Sequence, residues 1–153
     1  MKALAKANTS DIVAHITNVR GHLKKAAWLQ DIASIVKDDK NIPKTMDELV
    51  ALKGIGRKSA NVIMRESGAE PEGIMVDLHV IRVANRLGIA NADVGDKMEK
   101  QLMEILPRDL WKDVGMALSF LGRETCRPTD PKHSECVMSK VCAYCHLNNN
   151  GNC

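Results

Sequence analysis

Seven residues, Leu-Lys-Gly-Ile-Gly-Arg-Lys at 52–58, constrain this chain more than any other stretch. An apolar run (Leu49, Val50, Leu52) stops at two glycines set one residue apart. Ser59, Ala60, Val62, Ile63 and Met64 then open a new helical pattern. Gly54 and Gly56 suit a turn that takes positive φ and leaves its backbone uncovered. The first N–H groups of the helix that follows have no acceptor inside it and point out of the turn. Amides at a positive helix end form a seat for an anion such as phosphate. Lys53, Arg57 and Lys58 add full charges beside that seat. A bare Gly-x-Gly is a plain helix connector. With helices on both sides and basic residues around it, the turn is expected to grip a DNA backbone.

The rest of the chain supports a helical frame for this turn. Asn8, Thr9 and Ser10 offer N-caps ahead of Ile12, Ile16 and Val19, and Gly21 breaks that helix. A second helix carries Leu23, Ala27, Ile32, Ile35 and Val36, and ends in the charged stretch 37–39. Thr45 with Glu48 reads as a capping box for a short helix through Leu52. That helix, the glycine turn and a helix over 58–66 make a helix–hairpin–helix. After a loop at 68–73, Asp77 is a good N-cap for a helix bearing Val80, Ile81, Val83 and Leu87, stopped at Gly88. Met98, Leu102, Ile105 and Leu106 share one face of a helix over 97–106. Leu110, Val114, Leu118 and Leu121 do so in a last long helix begun by Pro107 and Asp109. Strand-period alternation persists nowhere, and no repeat is visible. The fold is expected to be all-α. Residues 1–122 form a helical domain holding the hairpin at about 45–67, and residues 123–153 a cysteine-rich loop and tail.

Charge is uneven along the chain. Residues 1–60 hold 11 Lys and Arg against 6 Asp and Glu, whereas residues 61–153 hold 11 against 13. The positive field therefore lies on the half that carries the glycine turn, as a polyanion would require. Only four residues are aromatic, too few for the base-stacking platforms of single-strand binders. No apolar run reaches the roughly 18 residues of a membrane span, and no signal-peptide apolar core follows Met1. The expectation is a soluble, intracellular monomer, cytoplasmic and nucleoid-associated in a prokaryote. All five cysteines fall in the last 28 residues. A disulfide framework for the whole fold is thereby disfavoured, and a metal favoured.

Lys58 and Asp77 are the candidate chemical pair. They are 19 positions apart, but a helix of about ten residues climbs only roughly 15 Å, and the loop after it can reach back that far. Both would then sit at helix N-termini beside the phosphate seat. An amine there is able to attack an electrophilic sugar carbon and form a Schiff base. The helix end, Arg57 and Lys53 disfavour the Lys58 ammonium, while a close Asp77 carboxylate favours it. The plainer roles are a phosphate-binding lysine and a structural N-cap aspartate.

The run Leu-Lys-Gly-Ile-Gly-Arg-Lys-Ser-Ala-Asn-Val-Ile, followed by Val-Asp-Leu-His-Val-Ile-Arg-Val-Ala-Asn-Arg-Leu, resembles endonuclease III and its relatives. These are the helix–hairpin–helix DNA glycosylases. The likeness runs from about residue 8 to about 142 and is dense between 49 and 87. It implies that Lys58 is the nucleophile and Asp77 the catalytic aspartate of a bifunctional glycosylase and abasic-site lyase. The substrate it implies is an oxidised pyrimidine extruded from duplex DNA. The alternatives are an abasic-site lyase without base excision and a silent DNA-binding module.

Two departures accompany the resemblance. The family usually carries several dozen residues ahead of the point where this sequence starts, and residues 1–8 do not replace them, which leaves weak or absent activity open beside full activity. The resemblance also implies a [4Fe–4S] loop of pattern Cys-x6-Cys-x2-Cys-x5-Cys. Here Cys126, Cys136 and Cys142 fill the first, third and fourth positions, and His133 the second. The fourth ligand is either His133, since histidine ligates iron in some clusters, or Cys145, which stands in Cys-x2-Cys spacing with Cys142. Zinc in a Cys3His site and no metal at all are the other options. Arg123, Arg127, Lys132 and Lys140 flank the loop as candidate phosphate contacts, and Cys153 reads as a tail thiol.

Overall fold

The computed structural model describes residues 1–148, and Cys153 lies outside them. Among the described residues there are helices and turns but no strand, as the periodicity requires. None of these helices is long and apolar enough to cross a membrane. The chain forms two compact units, the first from Met1 to Ala69 and the second from Glu70 onward.

In the first unit, α1 (Lys2–Lys6) and α2 (Thr9–His15) pack on α3 (His22–Val36). The alanine-rich start is thus a short helix of its own. Gln30 of α3 ties it down by donating to the Ala7 carbonyl at 2.6 Å. α2 stops at His15, well before Gly21. The buried face of α3 also differs from the one that the largest apolar residues suggest. Ala26, Ala33 and Val36 are buried, whereas Leu23 is 66% and Ile35 63% exposed. Small alanines let α1 and α2 lie close, and that approach fixes the face more firmly than side-chain size does.

α4 (Met46–Val50) and α5 (Arg57–Ser67) flank the glycine turn. Met46, Leu49, Ala60 and Met64 form a small core between them, with Ile55 and Ile63 packed on it. Thr45 is the N-cap of α4 by position. Its hydroxyl donates to the Glu48 carboxylate at 2.8 Å and makes no cap bond to the backbone, so the two residues pair side chain to side chain where the sequence predicts a capping box. α5 ends at Gly68, in the left-handed region with φ 70°.

The second unit is built around α6 (Leu78–Leu87), which packs against α7 (Gly95–Ile105), α8 (Trp111–Glu124) and α9 (Ala143–Asn148). Its core joins Ile74, Val80, Val83 and Ala84 to Met98, Leu102 and Leu118. Asp77 caps α6, and Gly88 stops it at φ 79°. Ile105 proves 53% exposed, so α7 buries a narrower stripe than its sequence suggests, and Leu110, 46% exposed, lies in a short 3-10 turn ahead of α8 and not on the helix. Two short 3-10 turns and α9 organise the region after Glu124.

Candidate active site

The hairpin turn is shaped by Gly54. Its φ is 85°, and a Cβ built there would stand 2.3 Å from the Trp28 indole. Positive φ and a ring pressed against the backbone leave room for glycine alone. Behind the turn, Trp28, Ile32, Lys53 and Ile55 help to line an apolar cavity of about 270 Å³. Gly56 is different. It is the N-cap of α5 in extended conformation (φ −96°, ψ 173°), and a Cβ there would meet nothing within 4 Å. Sequence reasoning gave both glycines one role, whereas only Gly54 has positive φ. Gly56 instead keeps the approach to the helix end clear. Gly54→Ala is therefore expected to destabilise the protein by roughly 3 kcal/mol, and Gly56→Ala by no more than about 1 kcal/mol. Urea unfolding of the two variants checks this contrast.

The helix end beyond the turn is open. The amide of Ala60 makes the first bond of α5, to the Gly56 carbonyl at 2.9 Å. By helix geometry the amides of Lys58 and Ser59 have no acceptor within the helix. Lys53, Gly54, Gly56, Arg57 and Lys58 are all exposed around this point. An anion placed here would meet oriented N–H groups and three cationic side chains.

In the second unit Asp77 is held from several directions. Its Oδ1 accepts from the amides of His79 and Val80, each at 2.9 Å. Its Oδ2 accepts from the Ser119 hydroxyl at 2.7 Å and lies 3.5 Å from the Arg123 guanidinium. Burial alone would raise the pKa of this carboxyl. The Val80 amide, the Ser119 hydroxyl, the His79 amide and the nearby His79 ring together hold it below the ordinary value of 3.8. Asp77 is thus a structural N-cap and a firmly ionised carboxylate at once. Ser119 and Arg123 complete this cradle. Sequence reasoning missed Ser119, a lone hydroxyl on an otherwise apolar helix face, and assigned Arg123 to the cysteine loop.

That loop is anchored by Arg86. Its guanidinium donates to the carbonyls of Arg127 and Pro128 at 2.6 and 3.0 Å, and to Cys126 Sγ at 3.3 Å. It also lies over the Tyr144 ring, 4.6 Å from the centroid. Cys126, His133, Cys136 and Cys142 line one small cavity of about 20 Å³ with Tyr144. The three thiols are free. Cys145 does not line the cavity; it is fully buried and its sulfur is already bonded. Thiolates and imidazole suit iron or zinc by their softness. Their spacing does not fit a bound centre, because no three His, Cys, Asp or Glu among the described residues are gathered closely enough to hold an ion. The donors are right in kind, and the loop would have to draw in around a metal.

A family described as HhH-GPD superfamily base excision DNA repair protein matches residues 1–108, which include the hairpin, Lys58 and Asp77. The chain belongs to this superfamily. Within the HhH-GPD proteins, it is 32% identical to Endonuclease III of Thermotoga maritima over 143 residues, covering 92% of this chain and 67% of that protein. It is 35% identical to Endonuclease III of Bacillus subtilis over 130 residues, covering 83% and 59%. A chloroplastic Endonuclease III homolog of Arabidopsis thaliana is 34% identical over 151 residues, with 92% and 40% covered. The chain thus spans between 40% and 67% of the length of these relatives. Among solved structures, a trapped endonuclease III–DNA covalent intermediate superposes with a TM-score of 0.82 at 30% identity, covering 94% of this chain and 68% of that one. A non-covalent endonuclease III–DNA complex gives 0.82 at 29% identity, covering 96% and 70%.

Proposed function

We propose that this HhH-GPD protein is a DNA glycosylase with abasic-site lyase activity on oxidised pyrimidines in duplex DNA. The observation that carries the reading is the N-cap carboxylate Asp77. Against its burial, two amides, a hydroxyl and the His79 ring keep it charged, more than a helix cap needs. The likeness to an endonuclease III trapped covalently on DNA supports a nucleophilic partner for it, and Lys58 on the exposed end of α5 is the amine of the hairpin.

In this reading the hairpin amides of Lys58 and Ser59, with Lys53 and Arg57, bind phosphates beside an extruded nucleotide. The Lys58 amine, having given up its proton, bonds to C1′ as the glycosidic bond breaks and the base leaves with that electron pair and a proton. Asp77 stabilises the cationic sugar that develops and assists removal of the lysine proton. Opening of the sugar ring turns the C1′–N bond into an iminium, O4′ taking up a proton. Loss of a C2′ proton then breaks the C3′–O bond and releases the 3′ phosphate. Cys145, whose sulfur is already bonded, drops out as the alternative fourth donor. Cys126, Cys136, Cys142 and His133, which line one cavity, are the donors we assign to a [4Fe–4S] cluster, on condition that the loop closes around it. No step of the reaction passes through it.

The test uses anaerobically purified protein on duplexes carrying thymine glycol, uracil or an abasic site. An unsaturated sugar at the nicked 3′ end is expected from thymine glycol and abasic DNA, and iron with labile sulfide in the protein. Binding without nicking on every duplex would leave only a DNA-holding module. Nicking of the abasic duplex alone would reduce the activity to the lyase.

A further inference from the structure

α8 turns an unusual face toward the segment that carries Asp77. Gly115, Ser119 and Gly122 follow one another at i, i+4 and i+7, and all three are buried. A Cβ at Gly115 would stand 2.2 Å from the Met75 carbonyl oxygen, and one at Gly122 would stand 2.8 Å from the His79 Cβ. The two glycines therefore set how near the backbone of α8 comes to the start of α6. Arg82 of α6 secures the same approach. It donates to the Gly122 carbonyl at 2.7 Å and to the Cys126 carbonyl at 3.1 Å.

Between the glycines, at closest range, lies Ser119, 1% exposed. A serine inside a helix ordinarily turns its hydroxyl back to the carbonyl one turn earlier. Packing alone would be served by alanine. Here the hydroxyl reaches across to Asp77 Oδ2 at 2.7 Å. The other oxygen, Oδ1, is taken by two amides of α6. With both oxygens held, the carboxylate plane has no freedom to rotate. The Arg123 side chain is 47% exposed and lies 3.5 Å from Oδ2, too far and too wet to fix that plane alone.

We propose that Ser119 is a positioning residue for the reaction, its hydroxyl locking the Asp77 carboxylate in one orientation with Oδ2 charged. This rests on Asp77 being the catalytic carboxylate. The titratable groups facing Asp77 within the second unit are His79 on its own helix and Arg123 on α8, with Arg82 behind His79 at 3.1 Å. Ser119 itself does not titrate, so its removal acts through Asp77 alone.

The experiment compares full-length wild type, Ser119→Ala, Ser119→Thr and Asp77→Asn in single-turnover borohydride trapping on an abasic duplex. Duplex affinity and the Asp77 carboxyl-carbon NMR titration are measured in parallel. Ser119→Ala is expected to trap about tenfold more slowly at unchanged duplex affinity, with the Asp77 titration moved to higher pH. Ser119→Thr, which keeps the hydroxyl, restores rate and titration toward wild type. If Ser119→Ala melts lower, rates are read well below the transition, and Ser119→Cys, a weak donor of similar size, shows the same slowing. Wild-type rate and an unmoved titration in Ser119→Ala, with Asp77→Asn inactive, would overturn the role of Ser119 alone. A wild-type rate in Asp77→Asn would overturn the reading of Asp77 and this proposal with it.

Discussion

Lys58→Ala is expected to leave no borohydride-trapped adduct with abasic DNA and to lower the nicking rate by at least about 10³-fold. The side chain lies on the exposed first turn of α5, outside the hairpin core of Met46, Leu49, Ala60 and Met64, so the variant is expected to keep its fold. One cation among several beside the phosphate seat is lost. Affinity for the duplex therefore falls modestly, and its dependence on salt weakens by about one counterion. The separation between these two effects is what identifies a nucleophile. A phosphate-binding lysine would lose affinity and trapping together, in proportion. Full adduct in Lys58→Ala would place the Schiff base on another amine. Lys58→Arg sharpens the comparison, since it keeps the charge while guanidinium does not form the iminium.

Legibility of this site in the sequence follows the range of the interactions that build it. α6 is readable from end to end because its limits are set within a turn of each boundary. Asp77 accepts from residues two and three ahead, and Gly88 takes up positive φ at the stop. The hairpin is readable for the same reason, with two glycines, a basic pair and apolar residues on both sides. What escaped the sequence depends on contacts between distant segments. Leu23 and Ile35 look like core yet are exposed, because α1 and α2 settle against the alanines of α3. Arg123, 46 positions after Asp77, reads as one more basic residue beside the cysteines until α8 is laid on α6. Ser119 is the sharper case. Its hydroxyl breaks an apolar stripe, which in sequence looks neutral, and only the Gly115 and Gly122 contacts bring it to a carboxylate. Gly56 erred the other way, since a glycine that looks conformationally required is in fact extended.

Asp77→Asn separates the two duties that meet in one side chain. As a cap, asparagine is nearly as good as aspartate. Its Oδ1 can accept from the His79 and Val80 amides as the native oxygen does, so at neutral pH the cost in stability is expected to be small, about 1 kcal/mol. The outer position changes character. An amide NH2 there finds the Ser119 oxygen as an acceptor but points a donor at Arg123, and the negative charge is gone. The rate of trapping on abasic DNA should fall by about 10²–10⁴-fold, far beyond what the loss of a cap explains. The pH dependence of stability gives an independent check on the charge. A carboxyl whose folded pKa is depressed adds stability that is complete above the unfolded value of 3.8. That stability drains away as pH falls through the lower folded value. Wild type should therefore lose more stability than Asp77→Asn on acidification below about pH 4, and the two melting curves should draw together there. Parallel acid profiles would mean that Asp77 is not held ionised by its neighbours. A wild-type trapping rate in Asp77→Asn would mean that the cap is all this residue supplies.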